Sequence, residues 1–468
     1  RENKAEKDKV NMNYIDFFRG KRITVMGLGI LGRGIGVAKF LAKCGAKLTI
    51  TDLKTKKELQ PALKKLKKFK NIKYILGRHR LTDFRNKDMI IKAAGVPLDS
   101  PYIKEAKKNK IPVEMDASLF IKVIRLGSSF STWKPSFQVK IIGITGTRGK
   151  STTTQLIYEI LKRSGKRVFL GGNVKGLATL PLLKKVRPDD IVVMELDSWQ
   201  LQGFGEAKIS PRIAVFTNFM RDHMNYYKKN MGRYFNNKAN IFKYQKEGDF
   251  LITGEKINKI LKKFYKSKIK SKVIIAKKGD ITKRWKVKLI GDHNLENIAA
   301  AIAACGCLGV SDAVIKKAVE NFSGVSGRLE FIGETKGVKY YNDTTATTPE
   351  ATMVALNSLK ENKGKIILIG GGMDKMLDYK NYAQIVKRSV KALILFKGAA
   401  TDKIIRALGR IRFHIEIVDG MKRATEVARA KAKKGDLILL SPGAASFGVF
   451  KNEFDRGEQF DKLVKKFK

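Results

Sequence analysis

Short blocks of apolar and polar residues alternate along the whole chain, and they switch between two different repeats. Continuous apolar runs such as DIVVMELDS (190–198) and GKIILIGGGMDKM (364–376) predict strands. Segments such as STTTQLIYEILKRSGK (151–166) instead space their apolar residues three or four positions apart, which is typical of an amphipathic helix. Because the two patterns alternate, the sequence predicts an α/β protein with mainly parallel sheets.

Two stretches interrupt this alternation with Gly, Ser and Pro. They are LGSSFSTWKPSFQ (126–138) and NFSGVSGRLEFIG (321–333). A chain of 468 residues is long enough for two to four domains, at roughly 100–200 residues each. We therefore predict three α/β domains in series, over residues 1–137, 138–326 and 327–468. The first and third are expected to be Rossmann-like, and the central one to carry a phosphate-binding loop.

The first domain opens with a strand, a glycine-rich turn and a helix. Gly27, Gly29 and Gly32 fit the pattern G-x-G-x-x-G, and Asp52 ends the next predicted strand about 20 residues later. By itself this pattern predicts only that backbone approaches a phosphorylated ligand at the start of a helix. A nicotinamide dinucleotide is one such ligand.

The sequence GITGTRGKSTTTQLI (143–157) is a stronger signal, because it also lies between a predicted strand and a predicted helix. Backbone N–H groups and the helix N-terminus face a bound phosphate, Lys150 adds a charge, and Ser151 or Thr152 supplies a hydroxyl for Mg²⁺. Ile144 stands where the common form of this loop has glycine. The pattern predicts a nucleoside triphosphate site of a less common type.

Two side chains follow the next strands of the central domain. Glu195 is at the end of DIVVMELDS, and His223 comes after RIAVFTNF (212–219). Ligands of open α/β sheets bind at the carboxyl ends of the strands, and a carboxylate there suits Mg²⁺. We therefore expect Glu195, His223 and Lys150 to share one edge.

The charge is unusual, with 96 Lys and Arg against 43 Asp and Glu, a net of +53. The lysines are dispersed over predicted amphipathic helices such as KTKKELQPALKKLKKFK (54–70) rather than collected in one arm. We interpret them as solvated surface and expect no specific nucleic-acid binding. No apolar run approaches the ~18 residues of a membrane span. Cys44, Cys305 and Cys307 are expected to be buried thiols in a reducing, cytoplasmic compartment.

Five separated motifs occur together in this chain: G-T-x-G-K-S-T, E-L-x-S-x-Q-L, N-x-x-x-D-H, G-x-H-N-x-x-N and N-D-T-x-A-T-x-P. In this order they resemble the Mur ligase family, the ATP-dependent amide-forming enzymes of peptidoglycan synthesis. The resemblance covers nearly the whole chain. Within the family, NDTTATTPEATMVAL (342–356), GGGMDKMLDY (370–379) and LLSPGAASFGVFKNEFDRGEQF (439–460) most resemble members that join glutamate, as the D isomer, to UDP-N-acetylmuramoyl-L-alanine.

The resemblance implies a role for each domain. The first would bind the UDP-sugar rather than NAD, through Ile30, Leu31, Asp52, Leu53, Lys54 and Gly95, with Asn173 from the second domain. ATP would be held by Gly146, Thr147, Gly149, Lys150, Ser151, Thr152, Asn294, Asn297, Arg328 and Asp343. The incoming amino acid would meet Thr344, Thr345, Lys375, Ser446 and Phe447 in the third domain.

The resemblance also implies two Mg²⁺ ions, held by Thr152, Glu195, His223 and Lys238. Lys238 would be carbamylated by CO₂, which converts a cation into a carboxylate. Lys150, Glu195, His223 and Lys238 are then the expected catalytic set, in an enzyme that acts as a monomer and activates a carboxylate as an acyl phosphate.

The sequence departs from the family in two places. Thr345 stands where relatives often have a lysine, and Glu453, followed by Phe454, stands where an aromatic residue often follows F-K-N. Both departures concern the binding of glutamate and not the family. Three alternatives remain: a sister ligase adding L-Glu, L-Ala or a diamino acid, a nucleotide-regulated nucleic-acid-binding protein suggested by the net charge of +53, and a dehydrogenase based on the first glycine turn.

Overall fold

A computed structural model describes residues 14–30, 32–130, 139–174, 176–224, 226–265, 267, 269–281 and 285–467. These residues form three sheets, each interleaved with helices. The chain divides into two compact units: residues up to 283 together with 296–318, and residues 284–295 together with 319–468. The first two sheets lie in the first unit and the third sheet lies in the second. The three predicted α/β domains are thus present in series.

The first sheet is parallel and has the order β3-β2-β1-β4-β5. Its strands are β1 Arg22–Met26, β2 Lys47–Asp52, β3 Ile72–Leu76, β4 Met89–Lys92 and β5 Val113–Glu114. Its helices are Tyr14–Phe18, Arg33–Lys43, Gln60–Leu66, Pro101–Lys108 and Asp116–Phe130, with a 3₁₀ turn at Leu81–Phe84. The last helix continues through the first part of the predicted break at 126–138.

The second sheet is also parallel and has the order β11-β10-β9-β6-β8-β7. Its strands are β6 Lys140–Thr145, β7 Val168–Gly172, β8 Ile191–Glu195, β9 Ile213–Phe216, β10 Phe250–Thr253 and β11 Lys272–Ile275. The accompanying helices are Lys150–Arg163, Gln200–Glu206, Met231–Ala239, Glu255–Phe264, Asp292–Gly306 and Asp312–Asn321, with 3₁₀ turns at Leu180–Lys184 and Lys278–Asp280.

The first two sheets are joined by a shared core and by buried polar contacts. The Asp116 carboxylate is buried and accepts hydrogen bonds from Thr179 N at 2.7 Å and Leu180 N at 2.8 Å. A Cβ on Gly36 would lie 2.7 Å from Ala178 Cβ, so the helix Arg33–Lys43 approaches the segment just before the 3₁₀ turn Leu180–Lys184 as closely as glycine permits. These contacts explain why two predicted domains form one compact unit.

The third sheet has the order β12-β13-β17-β14-β15-β16, and only β12 and β13 are antiparallel. Its strands are β12 Glu330–Thr335, β13 Val338–Asn342, β14 Ile366–Gly371, β15 Val390–Phe396, β16 His414–Val418 and β17 Leu437–Leu440. Its helices are Pro349–Ser358, Lys380–Ser389, Ala399–Leu408, Met421–Lys431 and Glu453–Lys465, with a 3₁₀ turn at Lys360–Asn362.

Alternate residues of the central strand β14 enter different cores. Leu368 belongs to the cluster on one face, and Ile367 and Ile369 belong to the cluster on the other. Because successive side chains of a strand point to opposite faces, this apolar run is a strand that is covered on both faces.

No helix among the described residues is long and apolar enough to cross a membrane. Of the three cysteines, Cys44 and Cys305 are buried and Cys307 is partly exposed. Burial raises the pKa of the Cys44 thiol to about 11. That thiol is therefore protonated and unreactive at neutral pH.

Candidate active site

The phosphate loop joins β6 to the helix Lys150–Arg163 and depends on two glycines with positive φ. Gly146 has φ +149°, and a side chain there would collide with Thr217 Oγ1. Gly149 has φ +80° and precedes the helix, and a Cβ on it would lie 2.1 Å from Asn297 Oδ1. The structure thereby places Asn297, a predicted ATP residue, directly against the loop.

Lys150 begins the helix and turns its ammonium back over the loop. Its Nζ lies 3.0 Å from Gly146 O and 3.1 Å from Thr147 O. Thr147 is buried and its hydroxyl lies 3.2 Å from Met220 O. A charge and the N–H groups of a helix N-terminus thus occur at one point, which is the arrangement that binds phosphate.

Glu195 ends β8 beside the loop, as the sequence predicted. Its carboxylate is buried and accepts a hydrogen bond from Ser151 Oγ at 2.5 Å. Asn173 Nδ2 lies 3.4 Å from the other carboxylate oxygen. The hydroxyl that reaches this carboxylate belongs to Ser151. Thr152 is buried, and the metal-binding role assigned to it stays a prediction.

His223 lies after β9 in a left-handed backbone conformation, with φ +54°. Its ring centroid is 4.6 Å from that of Trp199 and 5.9 Å from that of Tyr234. Burial lowers the pKa of the imidazole, and the charges of Lys238 and Lys150 lower it further against the opposing effect of Asp222. The ring is therefore neutral at pH 7, the form that ligates metal ions.

Arg148 and Asp222 form an ion pair at the same edge that sequence reasoning did not single out. Arg148 NH1 lies 3.1 Å from Asp222 Oδ2, and Asp222 Oδ1 accepts a hydrogen bond from His223 N at 2.8 Å. Burial raises the pKa of Asp222, but the charges of Arg148 and His223 outweigh it and hold the pKa below its usual value. The signal was present in the motif N-x-x-x-D-H, of which only the histidine was used.

Lys238 is fully buried on the helix Met231–Ala239. Its Nζ donates to Gly146 O at 2.8 Å and lies 5.0 Å from the centroid of the Tyr234 ring. Burial lowers the pKa of this amine well below its ordinary value, and the charge of Lys150 lowers it further. The amine is thus driven towards its neutral, nucleophilic form immediately behind the phosphate loop.

The predicted UDP residues of the first domain gather at the carboxyl edge of its sheet. Asp52 accepts hydrogen bonds from Gly29 N and Lys54 N, both at 2.9 Å, so its carboxylate ties the glycine turn to the turn after β2. Ile30 and Leu53 are exposed apolar side chains beside it, and Gly95 has open space where a side chain would be. Leu31 lies outside the described residues.

Asn173 connects this edge with the central domain. Its Oδ1 accepts a hydrogen bond from Arg33 NH2 at 2.8 Å, and its backbone N donates to Glu195 O at 2.6 Å. A side chain predicted to touch the UDP-sugar therefore lies between the first-domain helix Arg33–Lys43 and the carboxylate of the phosphate-loop site. Arg33 was missed by sequence reasoning, although it directly follows Gly32 of the glycine-rich turn.

In the second unit, Asp343 follows β13 and is buried. Its carboxylate accepts from Leu329 N at 3.1 Å and from Ser441 Oγ at 2.7 Å. Arg328 is exposed, and the Asn294 side chain donates to Ile290 O at 2.8 Å. The assignment of Asn294, Arg328 and Asp343 to ATP stays a prediction.

The hydroxyl groups of Thr344 and Thr345 both donate hydrogen bonds to backbone carbonyls. Thr344 Oγ1 donates to Glu453 O at 2.7 Å, and Thr345 Oγ1 donates to Gly327 O at 2.9 Å. Arg456, which is fully buried, donates to Thr344 O at 2.8 Å and to Thr344 Oγ1 at 3.1 Å. This geometry gives no support to donation from either threonine to glutamate, and their role stays a prediction.

The other predicted amino-acid residues are placed differently. Lys375 Nζ lies 3.1 Å from Thr347 Oγ1 in the turn after β14. Ser446 is buried, whereas Phe447 is 61% exposed. Lys375 supplies a cation, Ser446 a hydroxyl and Phe447 an accessible apolar surface.

Among the described residues, no three His, Cys, Asp or Glu side chains converge as a metal site. Mg²⁺ does not require such a set, because it keeps several waters and is commonly bound by one or two carboxylates and by substrate phosphates. The pair Ser151–Glu195 beside the phosphate loop fits that requirement.

Comparison with known proteins also finds three domains in series along the chain. Three family models match in series: "Mur ligase MurD-like, N-terminal domain" over residues 21–114, "Mur ligase middle domain" over 144–305, and "Mur ligase, glutamate ligase domain" over 327–443. Proteins named UDP-N-acetylmuramoylalanine–D-glutamate ligase are similar over nearly their whole length. That of Roseiflexus sp. (strain RS-1) is 36% identical, covering 96% of this chain and 99% of the relative. That of Borreliella afzelii (strain PKo) is also 36% identical with the same coverage.

Two solved structures have the same fold. The UDP-N-acetylmuramate-alanine ligase of Thermotoga maritima aligns with a TM-score of 0.60 at 20% identity, covering 96% of this chain and 100% of that one. The MurF ligase of Thermotoga maritima, solved in complex with ADP, aligns with a TM-score of 0.59 at 18% identity and 97% coverage of both chains. The chain belongs to the Mur ligase family and is an ATP-dependent, amide-forming ligase. This excludes the dehydrogenase and confirms the resemblance drawn from the motifs.

Proposed function

We propose that this ligase joins D-glutamate to UDP-N-acetylmuramoyl-L-alanine. The full-length similarity to relatives named for that reaction supports the choice within the family. The observation that carries the chemistry is the convergence of Lys150, Ser151, Glu195, His223 and Lys238 around one phosphate loop. We propose the cytoplasm as its location and a monomer as its working form.

The reaction needs a better leaving group than a carboxylate offers. In the first step a carboxylate oxygen of the UDP-sugar peptide attacks the γ-phosphorus of ATP, an O–P bond forms, and ADP leaves. In the second step the neutral amine of glutamate attacks the acyl carbon, a C–N bond forms, the C–O bond to the phosphate breaks, and inorganic phosphate leaves as the nitrogen loses a proton. Lys150 and the loop N–H groups orient the phosphates and offset their charge in both steps.

We assign Mg²⁺ binding to Glu195 and His223, with hydroxyl support from Ser151 or Thr152. When bound, the ion neutralises the negative charge that develops on the transferring phosphoryl group. The buried Glu195 carboxylate provides a fixed oxygen ligand, and Ser151 Oγ orients it from 2.5 Å. His223 is kept neutral by burial and by the neighbouring lysines, so its nitrogen lone pair is available.

We propose that Lys238 is carbamylated, because its environment lowers the pKa of the amine. A neutral amine nitrogen attacks the carbon of CO₂, an N–C bond forms, and one proton is released. The new carboxylate would replace a cation with an anion behind the loop that contains Gly146. Carbon-13 NMR of protein equilibrated with labelled bicarbonate tests this.

One carbamate resonance is expected in the wild type and in the exposed control Lys246→Ala, and none in Lys238→Ala. Equal signals from all three proteins would remove the assignment. Activity should also fall when CO₂ is stripped from the buffer and return on addition of bicarbonate.

The amino-acid specificity is tested directly by phosphate release. UDP-N-acetylmuramoyl-L-alanine and ATP are held constant while D-Glu, L-Glu, L-Ala, L-Lys, diaminopimelate and D-Ala-D-Ala are compared. We expect release with D-Glu to exceed that with every other compound. Preference for L-Glu would change only the stereochemistry, whereas preference for a diamino acid or L-Ala would defeat the assignment.

Lys375 and Ser446 are the groups that we assign to the carboxylates of glutamate. Burial of an unpaired carboxylate is costly, so the second substrate needs a cation and a hydroxyl at its binding place. Lys375→Ala should raise the KM for glutamate more than it lowers kcat, because Lys375 would act on an amino-acid carboxylate remote from the phosphoryl group. An unchanged KM would show that another cation has this role.

A further inference from the structure

The first sheet has a basic cavity at the edge opposite the UDP residues. It has a volume of about 330 Å³ and is lined by the starts of β1, β2 and β3 and by the loop before β4. Five cationic side chains line it: Arg22, Lys47, Lys70, Lys73 and Lys87. Because the strands are parallel and rise ~3.3 Å per residue, it is separated from the glycine turn by roughly the length of β1, about 13 Å.

The cavity exists because the chain covers the two faces of this sheet unequally. Ile23 and Leu48 face the large core of the first unit. On the other face, Thr24 Oγ1 donates to Asp83 O and Thr51 Oγ1 donates to Arg78 O. The connection from β3 to β4, all of which the structure describes, thus covers that face as a loop with one 3₁₀ turn and contains no α-helix that could fill the space over the starts of β2 and β3.

Lys87 occupies part of that space. Its ammonium donates to Thr49 Oγ1 at 3.1 Å, and Thr49 itself is buried. Burial lowers the pKa of Lys87, and the nearby charges of Arg22, Lys73 and Arg80 lower it further against the attraction of Asp83. Partial burial of this cation is unfavourable unless an anion compensates it, and Asp83 is already paired with Arg80.

Little negative charge is present to balance this cluster. Asp88 is paired with Arg22 at 3.4 Å, and Asp83 is paired with Arg80 at 2.8 Å. Within the described ranges, no carboxylate lies within 4.0 Å of the amines of Lys47, Lys70, Lys73 or Lys87. The cavity therefore keeps four lysine charges beside the hydroxyl of Thr49.

We infer that this cavity is a second anion site, separate from the substrate sites, which binds a small phosphorylated compound. A phosphate group offers about two negative charges and several acceptor oxygens, which matches several ammonium groups better than one carboxylate does. The volume admits a diphosphate-sized ligand but not a duplex.

Inorganic pyrophosphate is the probe, and the matched variants each remove two exposed lysines. Lys70→Gln/Lys73→Gln changes the cavity, and Lys262→Gln/Lys263→Gln changes the helix Glu255–Phe264 by the same charge. Calorimetry should show roughly tenfold weaker pyrophosphate binding to one class of site in the first variant only, since each exposed ion pair contributes modestly. A third variant, Lys87→Gln, removes the partly buried lysine of the cavity.

Pyrophosphate is also expected to bind at the phosphate loop. Hydrogen exchange is therefore used to show which of the two sites it occupies. Pyrophosphate should slow amide exchange at residues 47–50 and 71–74 in the wild type and in the control variant, but not in Lys70→Gln/Lys73→Gln. All variants should retain basal ligase activity. Slowed exchange confined to residues 144–152, or equal losses of affinity in the two double variants, would overturn the proposal.

Discussion

Gly149 offers a test of the phosphate-loop geometry that has its own control on the same helix. Gly149 and Gly165 flank the helix Lys150–Arg163, with φ of +80° and +78°. A Cβ on Gly149 would lie 2.1 Å from Asn297 Oδ1, whereas a Cβ on Gly165 would meet nothing within 4 Å. Alanine at either position carries the same left-handed strain, of ~1–2 kcal/mol, but only Gly149→Ala also creates a collision.

The collision determines how large a loss of activity we expect in Gly149→Ala. An ordinary contact to Cβ is ~3.4 Å or longer, so either the loop or Asn297 must move by more than ~1 Å. A displacement of about 1 Å in a positioned catalytic group can cost on the order of 10²-fold in rate. We therefore expect Gly149→Ala to lose about 10²-fold in kcat/KM for ATP, and Gly165→Ala to keep nearly full activity with a comparable loss of stability.

Thermal unfolding, binding of a fluorescent ADP analogue and phosphate release would be measured for both variants. Asn297→Ala removes the colliding oxygen, so Gly149→Ala/Asn297→Ala should bind nucleotide almost as well as Asn297→Ala alone. If Gly149→Ala and Gly165→Ala retain equal activity, the close approach of Asn297 to the loop does not matter for nucleotide binding, and the reasoning is refuted.

Three further predictions concern charge. Lys150→Ala should abolish turnover while leaving the melting temperature nearly unchanged, and retention of most phosphate release by the folded variant would contradict its place at the phosphates. Glu195→Ala and His223→Ala should each lower kcat by at least ~10²-fold, with partial recovery at raised Mg²⁺, and normal rates at ordinary Mg²⁺ would show that both are structural. Duplex DNA should bind weakly and detach as salt rises, because the net charge of +53 is dispersed over lysines, so sequence-dependent binding at physiological salt would oppose this interpretation.

The fold and the main edge of the site could be predicted because local patterns determine them. Continuous apolar runs became β8 and β14, and the glycines at 146 and 149 adopt the positive φ that a tight phosphate loop needs. Glu195 ends β8 and His223 follows β9, and both strands flank β6 in one parallel sheet, so their common edge follows from topology.

Contacts between distant segments could not be predicted in the same way. The sequence does not show that Ser151 rather than Thr152 reaches Glu195, since both hydroxyls follow Lys150 and only the helix direction selects one. It also does not show that Arg456 donates hydrogen bonds to Thr344, which is more than 100 residues away along the chain. The pairing of Arg33 with Asn173 likewise depends on how two sheets pack into one unit.

The central claim is that this chain forms an amide through an acyl phosphate at the site around Lys150. The most direct measurement uses UDP-N-acetylmuramoyl-L-alanine with oxygen-18 in both oxygens of its alanine carboxylate, incubated with ATP, Mg²⁺ and D-glutamate. The account predicts that mass spectrometry finds a single labelled oxygen in each phosphate released, because the C–O bond of the acyl phosphate breaks when the amine attacks. Amide product accompanied by unlabelled phosphate would contradict it.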